Sequence, residues 1–366
     1  MLLRLLIYST ILIFFISCGE DDPMVDDLDK DLTDIEYNPL NYVISGLASF
    51  PAMEIPDDNP MTVQGVELGR FLFYDPILSA DSSMSCASCH LPEGSFTDKL
   101  AVSTGIDDLD GKRSSMSLMN VGYYNTGLFW DGRADDLEAQ ALLPVEDPIE
   151  LHHSWTELVK QLKRHNNYPE LFRKAFGIER SSEITKELAA KAIAQFERTL
   201  ISSGESKYDK VIAGKAVFTD QELMGFDIFF DNDENLPDGE CFHCHNAPLL
   251  TTNEYINNGI DSSDNFEDFN DHGYGKVTGI QFDNGKFRVP TLRNIVHSAP
   301  YMHDGRFENL EQVLAHYNSG GKSSPNKHPL ISPLNLTVEQ IDAVLAFLHT
   351  LTDEPFIENP DHQDPN

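Results

Sequence analysis

The chain has 366 residues, of which 40% are hydrophobic, and its formal net charge is −34 at pH 7. This length suits two domains of ordinary size. Because nucleic acid phosphates repel so acidic a chain, the charge argues against a nucleic acid partner. The same charge can either attract a basic protein or simply keep the surface soluble.

Residues 1–18 carry the pattern of an export signal. A basic Arg4 precedes the apolar run Leu5–Ile16, and a small residue leads into Cys18. A cysteine at the processing point, followed by glycine, resembles a bacterial lipoprotein signal. An ordinary signal peptide and an N-terminal membrane anchor are the alternatives, although the run is short for a spanning helix. We therefore predict a periplasmic chain that meets the membrane only through a lipid on Cys18, with residues 19–40 as an acidic flexible tether.

The most specific signal is a five-residue motif that occurs twice. Its cysteines and histidines are Cys86, Cys89 and His90 in the first copy and Cys241, Cys244 and His245 in the second. C-x-x-C followed by histidine is the attachment signature of c-type haem, in which both thiols bond to the porphyrin and the histidine ligates the iron. A zinc site or a redox dithiol needs no histidine directly after both cysteine pairs. We therefore predict two covalently bound haem c groups.

The sequence around the motif is duplicated as well. Segment 68–75 stands before the first motif, and the similar segment 224–231 stands before the second. Downstream, Trp-Asp-Gly-Arg at 130–133 matches His-Asp-Gly-Arg at 303–306, and Leu-Glu follows each of them. Matching segments in matching order indicate two related domains. We predict a mostly α fold of two pseudo-symmetric c-type cytochrome-like haem domains with long loops, an N-terminal one at 41–203 and a C-terminal one at 204–355, with a tail at 356–366.

Helix starts and helix faces can also be placed. Capping boxes, in which serine or threonine is followed three positions later by Glu or Gln, mark helix starts at Ser154, Thr219 and Thr337. Apolar residues at helical spacing predict helices over 187–201 and 338–348.

Several longer segments resemble one known family. They read LGRFLFYDPILSADSSMSCASCH, LFWDGRADDLEAQ, FRVPTLRN and APYMHDGRFENLEQV. Together they are similar to the bacterial dihaem cytochrome c peroxidases, a superfamily that also includes MauG, and the similarity spans residues 60–352. The resemblance implies an oxidoreductase that acts on peroxide.

For the first haem, the resemblance implies a peroxide site with His90 as proximal ligand. Glu150 falls at the position of the distal acid–base, Gln140 at that of a peroxide-orienting amide, and Trp130 at that of the tryptophan between the haems. A carboxylate suits this chemistry because peroxide must lose a proton to bind and its leaving oxygen must regain one. Burial in a haem pocket would raise its pKa towards the working range. A solvated acid, a helix-surface amide and a core tryptophan are the alternative interpretations.

One position departs from the family pattern. In many members the resting first haem is blocked by a histidine in the context S-x-G-H. This chain has Ser103-Thr104-Gly105-Ile106 instead. The resemblance therefore implies an open, five-coordinate first haem that reacts with peroxide without prior reduction.

For the second haem, the resemblance implies His245 as proximal ligand. The other ligand position, a methionine in many peroxidases, holds Tyr317, as in enzymes of the MauG type. A phenolate stabilises ferric and higher states, whereas a thioether raises the potential. Met302 and His316 are alternative ligands, and a packed surface tyrosine is the plain alternative. His303 is expected to be a structural partner of haem propionates or peptide groups.

The family also holds a calcium ion between the haems. The matching positions are the carbonyls of Ser298 and Pro300 and the side chain of Ser114. Serine is a poorer ligand than the asparagine of the family, although calcium accepts carbonyl and water oxygens readily.

The function expected from the resemblance is an exported dihaem peroxidase that reduces hydrogen peroxide to water. Electrons would come from a small cytochrome c or cupredoxin through the second haem. A MauG-like enzyme that oxidises a protein or organic substrate and a non-catalytic electron-transfer cytochrome are the alternatives. The oligomeric state stays open, with a homodimer as one option.

Overall fold

The computed structural model describes residues 29–366. The predicted signal at 1–18, with Cys18, and the first part of the tether lie outside these residues. Within 29–366, helices dominate, as predicted, and none of them is long and apolar enough to cross a membrane. Two-residue strands β1 (Tyr255–Ile256) and β2 (Phe287–Arg288) pair antiparallel. The α-helices are α1 (Val63–Tyr74), α2 (Leu137–Glu146), α3 (Trp155–Arg164), α4 (Tyr168–Phe176), α5 (Lys186–Glu197), α6 (Lys207–Ile212), α7 (Asp220–Phe230), α8 (Tyr274–Thr278), α9 (Leu310–Asn318), α10 (Val338–His349) and α11 (Glu354–Ile357).

The first half is organised by the crossing of α1 and α5. Gly69 lies at the crossing point, where any side chain would collide with the main-chain carbonyl of Ala192. This glycine therefore lets the two helices approach closely. Phe73 and Phe196 pack beside the crossing with ring centroids 5.2 Å apart. A loop leads from α1 to the first haem motif, and the motif's turn, Cys86–Ser88, packs back against α1.

The second half repeats the same crossing with α7 and α10. Gly225 takes the place of Gly69 and would collide, if substituted, with the carbonyl of Ala343. Phe229 and Phe347 then pack with ring centroids 5.1 Å apart. The same contacts recur at nearly the same spacing from each motif, which is the duplication predicted from the sequence.

The buried apolar side chains follow this division. One core cluster draws on residues 32–200 together with Phe356, and a second draws on residues 208–351. A small third cluster of Tyr123, Ile201 and Leu249 contains side chains from both halves.

Helices begin directly after all three predicted capping residues, and the complete capping box forms at two of them. Thr219 and Thr337 form complete capping boxes with the side chains three positions on. Ser154 caps α3 by accepting from the Thr156 N–H at 3.2 Å, while the Glu157 carboxylate pairs with Lys160 instead. The helix predicted to run to residue 201 ends at Glu197, and the carbonyl of Leu200 accepts from the N–H of Asn120.

Both ends of the described chain pack against the first half. Leu32, in the segment predicted to be a flexible tether, is 4% exposed, and Asp29 pairs with Arg180 at 2.6 Å. The described part of that segment is therefore docked, because its isolated apolar side chains reach the core. In the C-terminal segment predicted to be a tail, Phe356 is 1% exposed, and Arg70 donates to the carbonyl of Gln363 at 2.7 Å.

Candidate haem and peroxide sites

The first motif forms a short 3₁₀ turn, Cys86–Ser88, directly after α1 and its connecting loop. The N–H of His90 donates to the carbonyl of Cys86 at 3.1 Å, which folds the histidine back beside the thiols. Its Nδ1 lies 2.8 Å from the carbonyl of Phe96. A carbonyl only accepts, so Nδ1 carries the proton and Nε2 keeps a free lone pair for a metal.

The second motif repeats this arrangement around His245. Its N–H donates to the carbonyl of Cys241 at 2.9 Å, and its Nδ1 lies 3.2 Å from the carbonyl of Leu250. Burial lowers the pKa of His245 to about 4, which keeps the ring neutral and able to ligate. In both motifs a main-chain carbonyl thus fixes the orientation of the ring, as is usual for histidines that ligate metals.

One cavity receives the groups of the second motif. It is lined by Cys241, Cys244, His245 and Tyr317, and the lining continues to Trp130 in the first half. The four motif cysteines are free thiols. Two thiols and a neutral imidazole on one cavity wall are what a covalently bound haem c needs. The chain thus fits the cofactor at this site.

The alternative interpretations of the motifs fit less well. Burial raises the pKa of Cys241 to about 12 and that of Cys89 to about 11, whereas a reactive dithiol needs a lowered thiol pKa. Among residues 29–366, the group of side chains close enough together to share a metal is Asp238, Glu240 and His243, which contains no cysteine.

Glu150 lies in the loop after α2, close to the first motif. Its pKa is raised to about 7, mainly by burial and also by the charge of Asp147, while Arg133 lowers it. Burial is the main cause that raises the pKa of the Cys86 and Cys89 thiols, and the Glu150 carboxylate adds to it at both. The structure therefore brings a partly buried carboxylate with a near-neutral pKa to the first motif.

Ile106 lies beside Glu150. Its N–H donates to the Glu150 carbonyl at 3.1 Å. The preceding Gly105 packs so closely on the carbonyls of Ile149 and Glu150 that a side chain there would collide with them. The position that matches the blocking histidine of the family is thus next to the candidate acid–base and holds a side chain that cannot ligate iron.

Trp130 connects the two halves. Its indole N–H donates to the carbonyl of Ser114 at 2.9 Å. Ser114 in turn donates its hydroxyl to the carbonyl of Met302 at 2.9 Å and its N–H to the carbonyl of His303 at 2.8 Å. Trp130 is therefore tied through one residue to the cavity of the second motif. Gln140 is half-buried on α2, between Trp130 and Glu150 in the chain.

Arg113, close to Trp130, forms two ion pairs that no sequence pattern predicts. Arg113 pairs with Asp131 of the Trp-Asp-Gly-Arg turn at 2.6 Å and with Asp271 of the second half at 2.7 Å. Its guanidinium also lies 5.5 Å from the ring of Phe287, on which His303 stacks at 3.6 Å. These partners are far apart in sequence, and no local pattern marks them.

Tyr317 and Met302 both line the cavity of the second motif. The Tyr317 hydroxyl accepts from Asn258 Nδ2 at 3.1 Å, and the same nitrogen lies 3.4 Å from Met302 Sδ. Burial raises the pKa of Tyr317 to about 12, and the Asn258 hydrogen bond opposes that rise. The alternative ligand His316 instead uses its Nε2 on the carbonyl of Asn258 at 3.0 Å. Asn258 carries no sequence signal and was missed.

The three positions considered for calcium are close to this cavity. Ser114, Ser298 and Pro300 all line it. The Ser114 hydroxyl proton is directed at the Met302 carbonyl, which leaves only its lone pairs for a cation.

Comparison with known proteins identifies the family. Residues 63–217 match the sequence profile of the di-haem cytochrome c peroxidases. The methylamine utilization protein MauG of Methylorubrum extorquens is 35% identical over 307 residues, covering 82% of this chain and 81% of that protein. Cytochrome c551 peroxidase of Nitrosomonas europaea is 34% identical over 86% of this chain and 87% of its own. A solved MauG-like protein associated with microbial copper homeostasis superposes with a TM-score of 0.80 at 35% identity, over 88% of this chain and 99% of its own. The chain therefore belongs to the dihaem cytochrome c peroxidase and MauG family, whose members are peroxide-using oxidoreductases that carry two haem c groups.

Proposed function

We propose that this protein reduces hydrogen peroxide to water at the first haem, with Glu150 as the acid–base. The observation that carries the proposal is the carboxylate of Glu150, close to the first motif and with its pKa raised to about 7 by burial. At neutral pH such a group is present in both its charged and its protonated form. It can therefore both accept and return a proton.

The proton transfers follow from the position of Glu150. When bound, the first haem supplies the electrons that break the O–O bond. Glu150 would take a proton from one oxygen of the peroxide and return it to the other oxygen, which leaves as water. The balance is one peroxide, two electrons and two protons to two waters. Arg133 lies near enough to lower the pKa of Glu150 and keep a fraction of it ionised. Gln140 is proposed to orient the peroxide by hydrogen bonding.

Access to the first site is proposed to be open in the resting protein. Ile106 occupies the position of the family's blocking ligand, and its backbone is bonded to Glu150. An apolar side chain at that position could not hold the iron, which would leave the first site accessible to peroxide. We propose that the fully oxidised protein reacts with peroxide directly.

Electrons are proposed to enter at the second haem and to pass near Trp130. The hydrogen bonds from Trp130 to Ser114, and from Ser114 to Met302 and His303, connect the indole rigidly to the second cavity. The net charge of −34 favours encounter with a small basic donor, either a cytochrome c or a cupredoxin.

A second candidate function is MauG-like oxidation of a protein or organic substrate. This function is favoured by the position of Tyr317 on the wall of the cavity of the second motif, because a phenolate ligand stabilises oxidised iron. A purely electron-transferring cytochrome has no use for a buried carboxylate such as Glu150, which weighs against the third function. Steady-state consumption of peroxide with a reduced cytochrome c separates these functions: rapid turnover supports the peroxidase, whereas slow turnover with long-lived oxidised haems supports the MauG-like enzyme.

The decisive test of the proposed function compares Glu150→Gln with Glu146→Gln in the dihaem protein. Glu146 is exposed and lies on α2, four positions before Glu150 in the chain. We expect the Glu150→Gln substitution to abolish most peroxide turnover and the control substitution to leave it unchanged. Equal turnover in both variants would remove Glu150 from the mechanism.

Three further points concern the location of the protein, a bound calcium ion and the oligomeric state. We propose periplasmic export with a lipid on Cys18, which intact mass of the membrane fraction would test. We propose a calcium ion held by the carbonyls of Ser298 and Pro300 and the side chain of Ser114, supported by their shared cavity and tested by metal analysis of the purified protein. A homodimer is one option for the assembly, and light scattering of the purified protein would test it.

A further inference from the structure

Asn258, two residues after β1, touches both candidate ligands of the second haem. Its Nδ2 lies 3.1 Å from the Tyr317 hydroxyl and 3.4 Å from Met302 Sδ, and its side chain lines the same cavity. A side-chain amide carries two N–H groups. One amide can therefore address the phenol oxygen and the thioether sulfur at the same time.

The orientation of this amide is fixed by its surroundings. Its Oδ1 accepts from the N–H of Ile260 at 3.2 Å, so the oxygen must face the main chain and the NH₂ group must face the cavity. Its own carbonyl accepts from His316 Nε2 at 3.0 Å. The residue before it, Asn257, is 2% exposed and bonds Asn326 at 2.8 Å. The donor is thus held in place before any cofactor binds.

The hydrogen bond from this amide stabilises the two possible acceptors, the Tyr317 oxygen and the Met302 sulfur, to very different extents. A hydrogen bond to a charged oxygen is about twice as strong as one between neutral groups. A thioether sulfur is only a weak acceptor. Met302 is itself held near the cavity, because its carbonyl accepts from the Ser114 hydroxyl at 2.9 Å. The amide therefore favours an ionised Tyr317 over the competing sulfur.

We propose that Asn258 is a positioning residue that selects Tyr317 over Met302 as the second ligand of the second haem. The proposal rests on Tyr317 being that ligand, as proposed above. Some residues hold a metal ligand without touching the metal. Replacing such a residue typically changes the properties of the metal site. Without the amide, the methionine already within reach competes for the same position.

The experiment replaces Asn258 in the dihaem protein and follows the ligand by spectroscopy. Asn258→Asp keeps the oxygen that accepts from Ile260 but turns both donors into a negative oxygen, and Asn258→Leu removes the donors without adding charge. We expect both variants to lose the resonance Raman bands of iron-bound phenolate. They should gain the near-infrared band of methionine on ferric haem, and the second haem's potential should rise.

Controls separate this effect from general disruption. Asn309→Asp makes the same chemical change at the exposed cap of α9, where the oxygen that accepts from the Gln312 N–H at 2.9 Å is kept, and its spectrum should match the wild type. Met302→Leu should also leave the wild-type spectrum unchanged, but combined with Asn258→Asp it should remove the methionine band.

Two results would overturn the proposal in distinguishable ways. If both Asn258 variants keep the phenolate bands while Tyr317→Phe loses them, Tyr317 is the ligand and Asn258 does not select it. If Tyr317→Phe leaves the wild-type spectrum unchanged, or Met302→Leu alters it, ligation by Tyr317 fails and the selection fails with it. If Asn258→Leu does not assemble, Asn258→Asp, which keeps the oxygen that accepts from Ile260, still decides whether Asn258 selects the ligand.

Discussion

Replacing Glu150 by glutamine should slow peroxide turnover by about a hundred- to ten-thousand-fold, since this is the usual loss when a positioned acid–base is removed. In free energy of activation, that range is about 3 to 5 kcal/mol. The substitution keeps the shape and the amide can still hydrogen bond, so the loss reports proton transfer rather than packing. Both haems should stay attached, because Glu150 belongs to neither motif.

The pH dependence gives a second, independent readout of the same change. Burial raises the pKa of Glu150 to about 7, so about half of it is ionised at neutral pH. Because the ionised form takes the first proton, the second-order rate of reaction with peroxide should fall as the pH drops, by about fivefold between pH 7 and pH 6. The glutamine variant should be slow and flat over this range. Stopped-flow mixing of the oxidised protein with peroxide measures both quantities.

Glu146→Gln should keep the wild-type rate and pH profile, because that carboxylate is exposed on α2. A Glu150→Gln variant that reacts at the wild-type rate, or that keeps the same pH profile, would show that another group moves the proton.

Four further outcomes follow from the structure. Cys86→Ala and Cys241→Ala should each lose covalent attachment at one motif only, so that intact mass and haem staining fall from two haems to one. Ile106→His should place an imidazole beside Glu150 and shift the resting first haem from high spin to low spin, with slower reaction of the oxidised protein, as read by electron paramagnetic resonance and stopped flow. Tyr317→Met should raise the potential of the second haem, measured by spectroelectrochemical titration, and an unchanged potential would mean that this side chain is not a ligand. Burial raises the pKa of Glu197 to about 8 from an ordinary 4.5, so the folded chain keeps a proton that the unfolded chain releases between these values, and the free energy of unfolding falls as the pH rises through that window. Glu197→Gln should remove this fall, which thermal melting at about pH 6 and about pH 9 would show as a gain in stability that is larger at the higher pH.

Local chemistry made the haem motifs and many of the helix boundaries readable from the sequence. Two thiols and an imidazole at fixed spacing define an attachment motif wherever they fold, because their geometry depends on five consecutive residues. The boxes at Thr219 and Thr337 formed as predicted, since each needs only residues three positions apart. The Ser154 box did not form fully, because Lys160 offers Glu157 a competing charge.

The duplication was also visible in the sequence, but its physical meaning was not. The matched glycines at 69 and 225 read simply as part of a repeated pattern. Only the folded chain shows that each lies where one helix presses on a carbonyl of another, more than a hundred residues away. A similar separation applies to residues 29–40, which the sequence predicts as part of a tether. The N–H of Leu32 donates to the carbonyl of Glu179, and its side chain joins the first core cluster only when that distant segment is folded.

Tertiary structure alone decided how the sites are built. The sequence identifies the two haem motifs directly, and its resemblance to the family predicts Glu150 as the acid–base and Tyr317 as a ligand. It could not determine that Glu150 loses its water, that Ile106 lies against it, or that Asn258 stands between Tyr317 and Met302. The physical reason is that a residue's type and spacing fix what it can donate, accept or ligate. Its pKa and its partners depend on which distant segments surround it, and for Tyr317 and Asn258 those segments are 59 residues apart.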